Sequence, residues 1–261
     1  MHVTPFFIWK RFLAAIILLF LFFPLYRIPL ALLFAGHMGI LFYGVKNIQF
    51  QFFGKVYNRV HSDSNKIALT FDDGPDPNLT DDILMVLKNH SISATFFVIG
   101  SKAKKYESLV KKCYEAGHTV ACHDLNHSLF SNFRITKYLI SDICESRNII
   151  ENIIGKKPLL YRPPVGLMNP HTLKALTYLN MKCIGWSGSV RDAGNRRIKK
   201  IKQIHKLAKK GEVVMLHDVL PNSDYKKIVL EQLNELCVLI NRQKLESVTV
   251  DNMFSLQAYE G

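Results

Sequence analysis

Two adjacent carboxylates, Asp72 and Asp73, stand just beyond the apolar run Ile67–Ala68–Leu69, in the stretch Thr70–Phe71–Asp72–Asp73–Gly74–Pro75. The run reads as a short buried strand, and Gly74–Pro75 as the turn that ends it. On an extended backbone neighbouring side chains point to opposite faces, so the two acids are expected to do different jobs rather than share one proton. Downstream, His123 and His127 are spaced i and i+4, which presents two imidazoles to one metal ion if the segment turns helically. Joined by a carboxylate from another strand end they make a candidate Asp–His–His site, whose three protein ligands leave positions open for water and substrate.

The elements that must position these groups alternate from Lys66 onward. Strand-like runs fall near Ile67–Phe71, Ala94–Ile99, Thr119–Cys122, Leu159–Arg162, Lys182–Ser187, Val213–His217 and Ser247–Val250. Segments of helical length lie between them: Leu79–His90, Glu107–Ala116, Thr136–Ile154, Arg197–Lys210 and Tyr225–Gln243. Gly117, Gly155 and Gly211 follow three of these and read as left-handed stops. Alternating strands and helices imply an α/β fold with a parallel sheet. About seven such repeats make a distorted (β/α) barrel, with an open doubly wound sheet as the alternative. Asp72 and Asp73, His123 and His127, Arg162, Asp192, and His217–Asp218 then come from five strand ends. The C-terminal rim of a β/α barrel is where active sites are built.

The first 46 residues are of another kind. After Lys10–Arg11 the chain is apolar from Phe12 to Phe23, breaks at Pro24, passes Arg27, and is apolar again from Ile28 to Val45. No small-residue cleavage site follows the first run, so a removed signal peptide fits poorly. Residues 1–46 are expected to anchor the chain in a membrane by one or two helices, 47–65 to be a linker, and 66–261 to be the catalytic domain. A chain begun near Arg59 is then expected to be soluble. Lys10, Arg11, Lys46, Lys55 and Arg59 flank the apolar pair, and the positive-inside rule leans toward a hairpin in the inner membrane with the catalytic domain cytoplasmic.

Lys and Arg number 34 against 21 Asp and Glu, an excess that suits membrane lipids or an anionic substrate; nucleic acid, resting on net charge alone, is not expected. The five scattered cysteines include no CxxC pair, which supports neither a disulfide framework nor a thiolate metal site.

With these residues in place the sequence resembles the polysaccharide deacetylases, the NodB-like carbohydrate esterases. Thr70–Pro75 looks like their first motif, and His123-Asp-Leu-Asn-His127 is similar to their His-[Ser/Thr]-x-x-His. Arg162-Pro-Pro-Val-Gly166 resembles Arg-Pro-Pro-Tyr-Gly, and Trp186 with Asp192, then Leu216-His217-Asp218, resemble the fourth and fifth motifs. The likeness runs from about Lys66 to Val250 with the motifs in family order. It implies a barrel hydrolysing the N-acetyl group of an amino sugar with one divalent ion, zinc first, cobalt or another transition metal as alternatives. By the same resemblance Asp72 is the general base and Asp73, His123 and His127 the metal ligands. Arg162 holds Asp72, His217 is the general acid, and Asp192 orients it. The Val165 N–H belongs to the oxyanion site, and Trp186 and Met215 wall the acetyl pocket.

Three residues depart from the pattern: Asp124 where Ser or Thr is usual, Val165 in place of Tyr, and Ala193 after Asp192. None removes a proposed catalytic group, so activity on an atypical substrate is expected. A cytoplasmic domain would take a lipid-linked amino sugar and an outward-facing one peptidoglycan, and the basic run Arg196–Lys202 offers a contact for anionic headgroups. Two other readings stay open: a metal phosphoesterase on a similar rim, and a non-catalytic, membrane-tethered carbohydrate binder. A binder has no need of both a base and an acid. Oligomeric state is not legible.

Overall fold

The computed structural model describes residues 5–60, 64–128, 134–190, 194–196 and 201–261. Helices α1 (Pro5–Phe22) and α2 (Arg27–Lys46) come first, joined by a 3-10 turn at Pro24–Tyr26. The barrel follows as β1 (Lys66–Gly74), α3 (Thr80–Asn89), β2 (Ala94–Val98), α4 (Gly100–Lys105), α5 (Glu107–Glu115) and β3 (Thr119–Cys122). Next come α6 (Thr136–Ile154), β4 (Leu160–Tyr161), α7 (Pro170–Tyr178), β5 (Lys182–Cys183) and β6 (Gly188–Ser189). Then β7 (Val213–His217), α8 (Tyr225–Arg242), β8 (Glu246–Ser247) and α9 (Val250–Phe254) complete it.

Strand order is β5-β4-β3-β2-β1-β7-β6, every pairing parallel, with β8 beside the start of β1. Seven parallel strands thus curl into a half-barrel with β1 near its centre, as the alternating pattern implied. Side-chain alternation divides the core in two. Ile67, Leu69, Phe71, Phe96, Val120 and Leu216 pack outward in one cluster with helix residues such as Ile83, Ile143 and Leu236. Ala68, Phe97, Ala121, Leu160 and Val213 fill the barrel interior, closed at one end by Val250 and Met253 of α9. By the same parity Thr70 and Asp72 on β1, and Met215 and His217 on β7, face inward, and Asp72 pairs in register with His217.

Several boundaries differ from the sequence expectation. The run Lys182–Ser187 is split, with Trp186 between β5 and β6. Ser247–Val250 divides between β8 and α9. The helix expected over Arg197–Lys210 is a 3-10 turn at Ile201–Lys206 where it is described, and residues 197–200 lie outside the described residues. Helices α4 and α7 were not expected. The Lys-rich α4 has no apolar period, but α7 did carry a signal: Pro170 at its first position and Asn169 as cap, whose Oδ1 accepts from the amides of His171 and Thr172, both at 2.9 Å. Gly155 ends α6 in the left-handed conformation, φ 67°, as expected of a helix stop. All five cysteines are free.

Residues 47–60, read as linker, are packed against the barrel. Ile48, Phe52, Phe53 and Val56 are buried in the outer core. The Tyr57 amide donates to Cys183 O at 3.0 Å and the Gly185 amide to Tyr57 O at 2.9 Å, while the Val60 amide donates to Gly211 O at 3.1 Å. Arg59 also pairs with the buried Glu212 at 2.7 Å. This stretch therefore clasps the seam where β5 and β6 fail to pair. A chain begun at Arg59 lacks four of these buried apolar side chains, each contributing roughly 1.5–3 kcal/mol. It is expected to unfold at a markedly lower temperature than one begun at Asn47, by thermal melts of the two purified domains in mild detergent. Equal melting temperatures would show that the clasp contributes little.

Candidate active site

The site grows from the end of β1. Alternation would turn Asp73 toward the helices, away from Asp72. Instead the β1–β2 register shifts between Asp72 and Gly74, and Asp73 takes a left-handed backbone, φ 69°. That bulge swings the second carboxylate into the same cleft as the first. Lys102, at the start of the unexpected α4, donates from Nζ to the Asp73 carbonyl at 2.7 Å and supports the strained turn. The two acids keep different partners although they share one cleft.

Asp72 is buried and accepts at 2.7 Å from Arg162 Nη1, which also donates to Thr70 Oγ1 at 2.7 Å. Nη2 of Arg162 donates to Gly185 O at 2.8 Å, and the guanidinium lies over the Phe97 ring, 4.1 Å from its centroid. Burial lowers the Arg162 pKa while the Asp72 charge raises it, with a net lowering.

Asp73 Oδ1 lies 3.3 Å from His123 Nε2 and 3.1 Å from His127 Nε2. The three candidate ligand atoms all fall within 4.8 Å of one another. His123 Nδ1 sits 2.9 Å from the Arg162 carbonyl, which can only accept, so Nδ1 carries the proton and Nε2 offers a lone pair. Asp73 Oδ1 and the two imidazoles thus face one another in a partly buried corner, and this carboxylate–imidazole donor set fits a divalent metal. Burial raises the Asp73 pKa, but its contact with His123 and the charge that His123, His127 and His217 carry when protonated outweigh it and hold the carboxyl well below its usual range. Burial lowers the His123 pKa, yet the neighbouring Asp72 and Asp73 leave it raised; His127, with burial dominant, is lowered.

The histidine pair does not lie on a helical turn. Asp124 and His127 both take positive φ, 72° and 50°, so the loop doubles back and still brings the rings to 5.1 Å between centroids. The start of α4 fixes that loop: the Gly100 amide donates to Asp124 O at 3.0 Å and the Ser101 amide to Leu125 O at 2.8 Å.

The opposite wall belongs to β7 and its neighbours. His217 and Met215 line the cleft with Trp186 and Val165, in a space of about 1340 Å³. Val165 is exposed on a left-handed turn, φ 50°. Asp192 lies outside the described residues. Lys102 and Asn195 were not singled out from the sequence, and Thr70 and Gly166 stood in quoted motifs without a role of their own. Buried Asn195 donates from Nδ2 to His217 O at 3.0 Å and to Val219 O at 2.7 Å, pinning the chain around the proposed acid. Asp218, buried one residue on, accepts from Thr80 Oγ1 at 2.7 Å, and its amide donates to Asp72 O at 2.8 Å.

The half-barrel and this rim define the class, a parallel (β/α) barrel with a carboxylate–imidazole cluster at its strand ends. The polysaccharide deacetylase family model matches residues 59–184. A peptidoglycan-N-acetylglucosamine deacetylase of Bacillus cereus is 36% identical over 168 residues, 63% of this chain and 78% of that one. A chitooligosaccharide deacetylase of Azorhizobium caulinodans is 31% identical over 62% of this chain and 78% of its own. Among solved structures, the Bc1960 peptidoglycan N-acetylglucosamine deacetylase superposes with a TM-score of 0.71 at 26% identity, over 78% of this chain and 95% of that one. The chain belongs to the polysaccharide deacetylase family.

Two substitutions probe how the site is held. A Cβ on Gly166 would collide with the Trp186 ring, and φ there is 66°. Gly166→Ala should therefore cost on the order of 1–3 kcal/mol and displace Trp186, read by denaturant melts and tryptophan fluorescence. The second concerns Asp218. Burial, with the Asp76 charge adding and the Thr80 bond opposing, pushes its carboxyl from 3.8 up to about 7. The folded chain thus keeps a proton that the unfolded chain releases between those values, so this group's contribution to stability falls as pH rises through that window. Asp218→Asn removes the effect. Its melting temperature relative to the unsubstituted chain should rise between pH 5 and pH 8, and a flat difference would refute the assignment.

Proposed function

We propose that the chain hydrolyses the N-acetyl amide of a GlcNAc-type amino sugar, releasing acetate and a free amine. The observation that carries this reading is the convergence in one cleft of the Asp73–His123–His127 cluster with Asp72 and His217 from adjacent strands. An amide resists attack because its carbonyl is a poor electrophile and its amine a poor leaving group. Asp73, His123 and His127 would hold one divalent ion, zinc first among candidates. When bound, that ion supplies Lewis acidity toward the acyl carbonyl and the attacking water.

The remaining work belongs to the chain. Asp72 accepts the proton of the attacking water. Arg162 aims Asp72 by donating to its carboxylate at 2.7 Å. The Val165 N–H is the backbone donor proposed for the developing oxyanion. His217 gives a proton to the departing nitrogen, with Asp192 as its proposed orienting partner. Trp186 and Met215 limit the acyl pocket to a small group. Base and acid sit on paired strands, so both reach one scissile bond.

We also read the apolar helices as the anchor. Among the described residues one helix, Arg27–Lys46, is long and apolar enough to cross a membrane, and only 11% of that apolar window is buried. Helix α1 folds back along it, with the Phe12 and His37 rings stacked at 5.0 Å. A hairpin puts both its ends on the side of the catalytic domain, and the cluster of Lys and Arg at those ends leans toward the cytoplasmic side of the inner membrane.

Four variants separate chemistry from support. Asp72→Asn should retain metal, lower the melting temperature because Arg162 loses its counter-charge, and slow acetate release about 10²–10⁴-fold. Asp73→Asn should weaken metal binding, with partial recovery of rate in added metal. His217→Ala should keep metal yet lose turnover. His205→Ala, paired with Glu235 on the surface, should change neither. Elemental analysis should find roughly one divalent ion per chain. A metal-free protein indifferent to chelator would sink the metal assignment, and a fully active His217→Ala would sink the acid.

A further inference from the structure

The barrel does not make the active-site cleft alone. Tyr43 and Lys46 in the last turn of α2, and Asn47 and Gln49 just beyond it, line the same cleft as Asp73 and His217. The junction is built rather than incidental. Gln49 Nε2 donates to the Trp186 carbonyl at 2.8 Å, and the Met168 amide donates to Val45 O at 3.3 Å. Asn47 Nδ2 donates to Tyr43 Oη at 2.9 Å, and Phe52 packs where Gly44 leaves room for it.

From that junction the hairpin runs outward with bare apolar faces: Ile28 is 77% exposed, Leu32 70% and Phe42 66%. Twenty helical residues span about 30 Å, the thickness of a bilayer's hydrocarbon core. A membrane that takes up α2 therefore ends at its last turn, beside the cleft mouth, and Lys46 stands at the depth of lipid phosphates.

Charge gives an independent indication. Asp72 is balanced by Arg162 at 2.7 Å, and Asp73 by the two imidazoles and the ion they would hold. Lys46, Lys102 and Arg196 also line the cleft. Lys102 gives one donor to the Asp73 carbonyl and keeps two. Among the described residues the cleft thus carries surplus positive charge, which a neutral acetylated sugar does not require and a phosphate ester does.

Resting on the deacetylase and membrane readings above, we propose that the substrate is an acetamido sugar joined through phosphate or diphosphate to a membrane lipid. Its phosphate sits by Lys46 and Arg196, its lipid lies along the exposed faces of the α1–α2 hairpin, and its acetamido group reaches the Asp73–His123–His127 corner. The last turn of α2 is then part of the substrate site and not only an anchor.

The test uses the full chain in phospholipid nanodiscs, offered N-acetylglucosamine on polyprenyl diphosphate and, separately, soluble chitooligosaccharide and peptidoglycan fragments. Acetate release and retention of the lipid-linked sugar are both measured. The lipid-linked sugar should be turned over at least about tenfold faster, since surface attachment and each basic contact add to its capture. Lys46→Gln and Arg196→Gln should each reduce its retention about five- to tenfold, whereas Lys88→Gln, on the exposed face of α3, should not. Retention that depends on Lys46 upholds the proposal even if no acetate appears, a result that would count against amide hydrolysis alone. Equal or preferred turnover of a soluble fragment overturns it, as does retention indifferent to both substitutions.

Discussion

The buried pair between Arg162 and Asp72 is the constraint on which the rest of the rim depends. Arg162 is fully buried and spends its donors on Asp72, Thr70, Gly185 O and Ile184 O, with Phe97 against its face. Its own carbonyl meets His123 Nδ1 at 2.9 Å. One residue therefore aims the proposed base through its side chain and sets the tautomer of a proposed metal ligand through its backbone. Such a pair is not justified by net stability, because desolvating two charges offsets most of their attraction, while breaking it costs about 3–5 kcal/mol. What it contributes is geometry. The carboxylate has one orientation, fixed before any substrate arrives.

Around that pair the barrel solves a second problem, how to aim two neighbouring acids into one cleft. A regular strand cannot do so, since its pleat separates them. The bulge and left-handed backbone at Asp73 can, at a cost in strain that Lys102 helps to offset from α4. The same helix start holds the histidine loop. A short, lysine-rich element with little core of its own is thereby tied to both halves of the proposed metal site.

The N-terminal region both supports the barrel and lines its cleft. Residues 47–60 close the seam between β5 and β6, and Gln49 holds the carbonyl of Trp186, which stands in that seam. Helix α2, the clasp and the Trp186 wall of the cleft are therefore mechanically continuous. A hairpin that sat in a bilayer would fix the orientation of the cleft to the membrane surface, with little freedom to tumble.

The sequence by itself determined the alternating α/β order, the parallel sheet, the apolar helices before it and the chemical identities at the strand ends. Those are local matters: apolar periodicity, turn residues, and residue types whose chemistry admits few uses. Asp72, Asp73, His123, His127, Arg162 and His217 were all legible for that reason. Asn169 and Pro170 were legible too, as the cap and first residue of α7, but went unread. Only the tertiary structure decided the rest. The bulge at Asp73 arises from register with β2, and the loop path from Asp124 to His127 from amides at the start of α4. Lys102 and Asn195 look like a solvated lysine and a turn residue until their partners, distant in sequence, are in place. The stretch 47–60 reads as a linker because its hydrogen bonds go to residues 183–185 and 211, more than a hundred positions away. A contact between distant segments leaves no periodicity in either one, and so only the folded chain reveals it.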